Sequence, residues 1–210
     1  MACRNDAGHL SFWSNSVGVA AVFLDGAYLE KVLTREYQQP SIDLGKLAKE
    51  MASPDELLRA YYYHCLPYQS NPPTEEERLR YAARHRFITA LGFLPRFEVR
   101  LGRLAYRGTD TDGKPIFQQK RVDCMLGVDM ALLAGKGKIT NLAIFTGDSD
   151  LIPAVEAAKK EGVLVTLWHG SLTSDETKPS RELFEIADER KELKAELVKT
   201  ILRSPKESKK

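Results

Sequence analysis

Short apolar runs alternate with stretches of helical periodicity along most of the chain. The run from Val17 to Leu24 is almost uninterrupted and stops at Asp25-Gly26, a pattern typical of a parallel strand buried on both faces. Further strands are predicted over 57–66, 93–106, 116–119, 142–146 and 163–167. Helices are predicted over 27–37, 42–51, 75–91, 122–133, 151–161, 181–187 and 188–202. This alternation predicts an α/β fold, with a mostly parallel sheet and helices on both of its faces.

The chain has 210 residues, which is enough for one domain with short appendages. We predict an N-terminal extension over 1–16, a domain over 17–188 and, over 189–210, a C-terminal helix with a disordered basic tail. The longest uncharged apolar run is far shorter than the ~20 residues of a membrane helix, and no signal peptide is recognisable at the N-terminus. We therefore expect a cytoplasmic protein without a membrane partner. The last helix suits docking on its own domain or on a second copy of the chain. A homodimer is therefore an alternative to a monomer.

The three cysteines, Cys3, Cys65 and Cys124, show no CxxC spacing. An odd number without metal-ligand spacing argues against a disulfide framework and against a zinc site. We expect them to be reduced, inert thiols.

Acidic residues follow the apolar strands at the points where those strands end. Asp25 follows the first strand, and Asp148 and Asp150 follow the strand over 142–146. Asp123 lies at the start of the helix that precedes that second strand. The carboxyl ends of parallel strands meet at one edge of a sheet, where open α/β folds bind their ligands. We therefore expect these four aspartates to lie near one another.

Carboxylates held close together repel one another and stay ionised together only when a cation neutralises them. Oxygen ligands, without His or Cys at ligand spacing, favour Mg²⁺ or Mn²⁺ over zinc. Such an ion supports metal-dependent hydrolysis of a phosphodiester. Each acid also has an ordinary structural interpretation: Gly147 to Asp150 is a helix-capping sequence, Asp25-Gly26 suits a turn, and Asp123 suits a first helical turn.

Asp129 differs from the other acids, because helical periodicity places it among the apolar positions of its own helix, beside Met125 and Leu133. A buried acid needs a partner. We therefore interpret Asp129 as a supporting or structural residue in preference to a direct metal ligand.

Between residues 78 and 107 the chain has eight arginines and one acid, Glu98. Aromatic residues are interleaved with them, a mixture typical of surfaces that bind single-stranded nucleic acid. The arginines predicted to bind it are Arg84, Arg86, Arg96, Arg100 and Arg103. A solvated helix face followed by a strand with core aromatics explains the pattern equally well. Lys120 and Arg121, close to Asp123, suit a scissile phosphate but equally suit a solvated pair.

Three regions together resemble the motifs of NYN domains, which belong to the PIN-like nuclease superfamily. They are Val22 to Ala27, then Lys120 to Asp123 with Val128 to Met130, and Ile144 to Leu151. The last is the most specific, and the match looks most similar to the LabA-like branch. The resemblance implies a Rossmann-like three-layer sandwich with a sheet of five or six strands, an acidic Mg²⁺ or Mn²⁺ site, and RNA as the substrate class.

Carried over to this sequence, the resemblance also implies roles for individual residues. Asp25, Asp123 and Asp148 would hold the metal, and Asp150 would support them in catalysis. Ser149, within the same segment, is a further supporting residue.

The leading hypothesis is a metal-dependent ribonuclease acting on single-stranded RNA. An alternative is a catalytically weak or inactive RNA-binding module of NYN type. It is motivated by Tyr28, since NYN domains often have Asn at this position; a phenol there is expected to orient a water in a different way or to stack a base. A third is a phosphoryl-transfer or receiver-like domain with Asp25 as phosphate acceptor, although Gly26 and Ala27 replace the DxDxT arrangement.

Overall fold

The computed structural model describes residues 17–113 and 115–203. Its strands are β1 (Val19–Asp25), β2 (Glu56–Cys65), β3 (Phe97–Thr109), β4 (Pro115–Lys120), β5 (Asn141–Phe145), β6 (Leu164–His169) and β7 (Glu189–Glu192). Its helices are α1 (Gly26–Tyr37), α2 (Leu44–Ala52), α3 (Glu75–Gly92), α4 (Val122–Gly135), α5 (Ile152–Lys160), α6 (Arg181–Ile186) and α7 (Ala195–Thr200). The predicted extension over 1–16 and the predicted tail over 204–210 lie outside the described residues.

The strands form one sheet in the order β4-β3-β2-β1-β5-β6-β7. All neighbouring strands are parallel except β3 and β4, which are antiparallel. The predicted α/β class, with a mostly parallel sheet between two layers of helices, is therefore confirmed. The sheet has seven strands among the described residues, where five or six were predicted.

The additional strand β7 lies where the sequence predicts a helix over 188–202. Its four residues, Glu189 to Glu192, are all charged, so they show neither the alternation nor the apolar run that predicts a strand. The segment is a strand because it pairs in parallel with Thr166 to His169 of β6. The helix prediction was wrong here, since α7 starts only at Ala195. The sheet therefore extends four residues beyond the domain boundary that was predicted at residue 188.

The central strand β1 supplies apolar side chains to both layers of the core. Val22 and Leu24 belong to the core layer shared with α1, α2 and α3, whereas Ala21 and Phe23 belong to the layer shared with α4 and α5. All four side chains are completely buried. Burial on both faces explains why this strand is a nearly continuous apolar run in the sequence.

The order of the strands reverses next to β1. The chain moves outward from β1 through β2 to β3, and later returns to place β5 on the other side of β1, before moving outward again through β6 to β7. In open α/β sheets, such a reversal creates a crevice at the carboxyl ends of the two adjacent strands. Here that crevice lies beyond Asp25 of β1 and Phe145 of β5.

Strand β3 is longer than its partner β2 and projects beyond the carboxyl edge of the sheet. β2 ends at Cys65, which is opposite Gly102. Beyond that point β3 pairs only with β4, and we call this two-stranded extension, residues 103–120, the β3–β4 ribbon. Its base is tight: a Cβ on Gly102 would lie 2.6 Å from both the Lys120 carbonyl oxygen and a methyl group of Val122.

The described part of the chain contains no helix with the length and apolarity needed to cross a bilayer. Cys65 is buried and Cys124 is exposed, and both are free thiols. Cys3 lies outside the described residues.

Replacing Gly102 with alanine should destabilise the protein by about 1 to 3 kcal/mol, because the new methyl group meets backbone that cannot move without shifting the ribbon. Gly135→Ala is the matched control, since a Cβ there has no neighbour within 4 Å. It should leave the free energy of unfolding unchanged or raise it by up to about 1 kcal/mol. Chemical denaturation of both variants measures the difference, and an unchanged Gly102→Ala protein would contradict the close approach.

Candidate acidic active site

Asp25 is the last residue of β1 and the N-cap of α1. Its Oδ1 atom accepts hydrogen bonds from the backbone N–H groups of Ala27 at 3.0 Å and Tyr28 at 3.2 Å. The capping interaction explains how a carboxylate is tolerated at the end of a buried strand, because the first turn of a helix has unpaired N–H groups. Its other oxygen, Oδ2, faces the neighbouring strand β5.

Thr146, directly after β5, joins the two sides of the crevice. Its side chain is fully buried, its hydroxyl donates to Asp25 Oδ2 at 3.4 Å, and it accepts from the Asp148 backbone N–H at 3.3 Å. Asp148 in turn caps the following 3-10 turn through a 2.9 Å bond from the Asp150 N–H. Sequence reasoning missed Thr146, although its position one residue after a central strand is the signal that would have found it.

Asp123 reaches the same edge by a different route. Strand β4 ends at Lys120, Arg121 adopts a left-handed conformation with φ of 76°, and α4 begins at Val122. Asp123 is thereby placed in the first turn of α4, where the helix dipole favours an acid. This helix begins at the carboxyl edge because β4 lies beyond that edge and runs back towards it, ending opposite Arg103 of β3.

The pKa values show that the acids influence one another electrostatically. The pKa of Asp25 is raised to about 6, mainly by burial and in addition by the negative charge of Asp123, whereas the N–H bonds at the N-cap oppose this rise. Burial also raises the pKa of Asp123, and the charges of Asp148 and Asp150 add to the effect. The four predicted aspartates are therefore brought to one region, as the strand-end argument predicts.

The acids nevertheless divide between two neighbouring clefts. Asp25 and Asp148 line a cleft of about 400 Å³ next to α1. Asp123 and Asp150 line a second cleft, of about 490 Å³, between α4 and α5. Across residues 17–113 and 115–203, no three His, Cys, Asp or Glu side chains are grouped closely enough to hold a metal ion. The three-aspartate ligand set implied by the family resemblance is therefore not formed as a closed cage.

Two lysines that sequence reasoning did not select also line the first cleft. Lys31 lies on α1, and Lys178 lies in the loop before α6, where it forms a 2.5 Å ion pair with Asp175. Ser149, predicted as a supporting residue, lines the same cleft, as does Ser180. The cleft therefore combines carboxylates with cationic and hydroxyl groups, as a phosphodiester site requires.

Tyr28 is largely buried at the wall of the first cleft. Its phenol donates a hydrogen bond to the Thr177 carbonyl and accepts one at 3.1 Å from the Gly170 N–H. Its ring is 9% exposed and packs against Phe145 and against Gly147, where a Cβ would come within 2.6 Å of it. Burial raises the pKa of Tyr28 to about 12. The hydroxyl is therefore occupied by backbone partners, and the part of Tyr28 that stays exposed lines the cleft of Asp25 and Asp148.

Asp129 has the partner that its predicted burial requires. It accepts a 2.9 Å hydrogen bond from the Tyr63 hydroxyl, and Arg100 Nε lies 3.3 Å from the same carboxylate oxygen. These contacts connect α4 to β2 and β3. The structure therefore gives Asp129 a structural role, which was the preferred interpretation of the sequence.

Three of the predicted RNA-binding arginines are engaged in ion pairs. Arg84 of α3 pairs with Glu30 through its two terminal guanidinium nitrogens, Nη1 and Nη2. Burial alone would raise the pKa of Glu30, but hydrogen bonds from His64 and Arg84 outweigh it and lower this pKa to about 2. Arg100 contacts Glu98 at 2.9 Å in addition to its contact with α4. These charges stabilise the fold and are only partly available to a ligand.

Arg96 precedes β3, at the amino end of the sheet and opposite the acids, where it pairs with Glu56 at 2.9 Å. The predicted basic surface over 78–107 is thus not continuous, because a strand carries its residues from one edge of the sheet to the other. Arg86 is exposed on α3. Arg103 and Lys120 face each other at the base of the ribbon, and Arg121 precedes the helix of Asp123.

The sequence matches a known protein family, and the fold is similar to a solved structure. The family model of the NYN domain matches residues 19–190. A solved structure of a protein of unknown function from Vibrio parahaemolyticus RIMD 2210633 is similar, with a TM-score of 0.53 and 19% sequence identity, covering 87% of this chain and 96% of that chain. At this identity the likeness shows the fold alone. No curated protein matches the sequence. NYN domains are part of the PIN-like nuclease superfamily, and this chain, matched over most of its length, belongs to the NYN domain family.

Proposed function

We propose that this protein is a metal-dependent ribonuclease that hydrolyses phosphodiester bonds of single-stranded RNA. The observation that carries the proposal is the grouping of Asp25, Asp123, Asp148 and Asp150 in two neighbouring clefts at the carboxyl edge of the sheet. Burial and mutual repulsion raise the pKa of Asp25 and Asp123 there. NYN domains are generally nucleases, which supports hydrolysis as the reaction class. The LabA-like branch, the cytoplasmic location and the homodimer stay predictions.

The residues of the site fit a hard divalent cation. The donors are carboxylate and hydroxyl oxygens, which Mg²⁺ and Mn²⁺ prefer. Mg²⁺ is usually held by one or two carboxylates, with the remaining positions taken by water and substrate phosphate. An acid pair in each cleft suits that mode, which does not need three carboxylates in one group. When bound, such an ion lowers the pKa of an attacking water and stabilises charge on the leaving oxygen.

The chain's own side chains would position the substrate and the acids. Thr146 would position both acids, because it donates to Oδ2 of Asp25 and accepts from the backbone N–H of Asp148. Lys31 and Lys178 line the cleft beside these acids and would attract the phosphates on either side of the scissile bond. Lys120 and Arg121, which lead into the helix of Asp123, would do so from the other side.

A second candidate is an RNA-binding module of the same fold without turnover. Two observations favour it: no three acids form a metal-binding group in the described residues, and Tyr28 is committed to packing. Salt-sensitive binding of RNA, without cleavage across a series of Mg²⁺ and Mn²⁺ concentrations, would select this candidate over the nuclease.

Asp148→Asn should reduce cleavage of labelled single-stranded RNA by at least about 100-fold, because a neutral amide holds a divalent cation far less well than a carboxylate. EDTA should abolish cleavage by the wild type. Asp148 is exposed, so the variant should fold normally. Glu156→Gln, which removes an exposed acid on α5, is the control for loss of charge and should cleave normally. Undiminished cleavage by Asp148→Asn would eliminate the mechanism.

Asp25→Asn should stabilise the metal-free protein at neutral pH. The pKa of Asp25 rises from its ordinary 3.8 to about 6 on folding, so the folded chain binds the proton more tightly than the unfolded chain. Wild-type stability is therefore lost as pH rises through this interval, by about 1 to 3 kcal/mol in total. Asparagine has no charge to lose and can keep the N-cap bonds.

Chemical denaturation in EDTA measures this effect. The variant and the wild type should unfold at similar denaturant concentrations near about pH 4 and should differ above about pH 6, with the variant more stable. Addition of Mg²⁺ should reduce the difference in stability between the variant and the wild type, because the cation stabilises the wild type alone. A variant that is no more stable than wild type at any pH would contradict the placement of a buried, repelled carboxylate at the end of β1.

A further inference from the structure

Three aromatic side chains, two of them on the β3–β4 ribbon, lie against one another, and none of them lines either acidic cleft. Tyr106 of β3 and Phe117 of β4 are opposite each other in the ladder, with ring centroids 5.9 Å apart. Tyr68, from the segment after β2, lies 6.1 Å from Tyr106 and 5.0 Å from Phe117. Tyr106 is 49% exposed, so this aromatic cluster is not a closed core.

The aromatic cluster faces the side of the sheet on which α4 begins. Side chains alternate along a strand, so Leu104 and Tyr106 share one face of the ribbon. Leu104 packs against the core layer that contains Val122 of α4. Tyr106 is four residues beyond Gly102, which places it about 13 Å past the point where β2 ends. The aromatic cluster thus projects above the edge from which the helix of Asp123 starts.

The opposite face of the ribbon is cationic. Arg103 and Lys120 are directly opposite in the ladder. Like charges in this arrangement destabilise a pair of strands unless an anion lies nearby. Arg107 follows on the same face, where its Nε donates to Gln118 at 3.0 Å. The ribbon therefore combines a half-exposed aromatic face with a face that attracts anions, and single-stranded nucleic acids are bound by this combination of features.

We propose that Tyr68, Tyr106 and Phe117 form a stacking subsite for unpaired bases of an RNA strand that runs from the ribbon to the acidic clefts. The bases of a duplex are already stacked on one another, so an aromatic platform selects single strands. The cations of the ribbon attract the backbone, and the aromatic rings hold the bases. The identity of the strand as RNA and its course to the acids rest on the proposed function, whereas stacking itself does not require hydrolysis.

Binding of a fluorescein-labelled, short single-stranded RNA, measured by anisotropy in EDTA, tests the subsite without cleavage. Tyr106→Ala should weaken binding about 5- to 100-fold and leave the dependence of affinity on salt unchanged. Ile116→Ala is the matched control, since Ile116 is 45% exposed on the other face of the same ribbon; its affinity should stay within about twofold of wild type. Arg103→Gln should instead reduce the slope of log K against log salt by about 1.

An RNA with abasic positions shows whether the aromatic cluster contacts bases. Removing bases should weaken binding to the wild type and to Tyr106→Phe, but have little further effect on Tyr106→Ala, since the stacking partner is already gone. Thermal unfolding of each variant verifies that the ribbon is intact. Equal affinities of wild type and Tyr106→Ala, or equal losses in Tyr106→Ala and Ile116→Ala, would overturn the proposal, as would tighter binding of the duplex than of the single strand.

A cleavage assay with Mg²⁺ on the same variants separates this proposal from the nuclease mechanism. If wild type binds the RNA through Tyr106 but does not cleave it, the subsite stands and the hydrolase does not. If wild type cleaves and Tyr106→Ala binds and cleaves equally well, the subsite is absent and the hydrolase stands.

Discussion

The enclosure of β1 between β2 and β5 is the constraint on which the rest of the structure depends. Every side chain from Ala20 to Leu24 is buried, so the strand must be apolar up to the edge of the sheet, and Asp25 is the first residue that reaches solvent. The chain reverses its direction of travel across the sheet at this strand. As a result, the end of β5, with Thr146 and Asp148, lies beside Asp25 although about 120 residues separate them in the sequence.

The same arrangement is electrostatically unfavourable for the protein alone. Burial and a neighbouring acid both oppose ionisation of Asp25, whereas the N–H groups of the first turn of α1 and the nearby His64 favour it. Asp123 has the same difficulty, because Asp148 and Asp150 are close to it. A fold that keeps such groups accepts lower stability at the site, which is typical of functional regions. A bound divalent cation would offset the repulsion between these carboxylates. The proposed hydrolysis uses the same kind of cation.

Patterns that depend on neighbouring residues were predictable from the sequence, and contacts between distant segments were not. The apolar run of β1, the capping sequence after β5 and the start of the helix before β5 identified the sheet and its four acids. Strand β7 was missed, because its charged residues form a strand only by pairing with β6. The ion pair of Arg84 joins residues 54 positions apart, and the phenol of Tyr28 contacts a carbonyl 149 residues away. No periodicity indicates such partners, so the availability of an arginine or a tyrosine for a ligand could not be judged from the sequence.

The contacts of Tyr28 have a mechanical consequence for the crevice. One side chain joins α1, the end of β6 and the loop that carries Lys178, through the Gly170 N–H and the Thr177 carbonyl. Arg35 and Glu176 join the same helix and loop by a second contact, a 2.5 Å ion pair. The two walls of the cleft are therefore joined by direct contacts, so the groove is already formed in the structure. A substrate of the proposed kind would have to adapt its own shape to this groove, which a flexible, unpaired chain does far more readily than a stiff double helix.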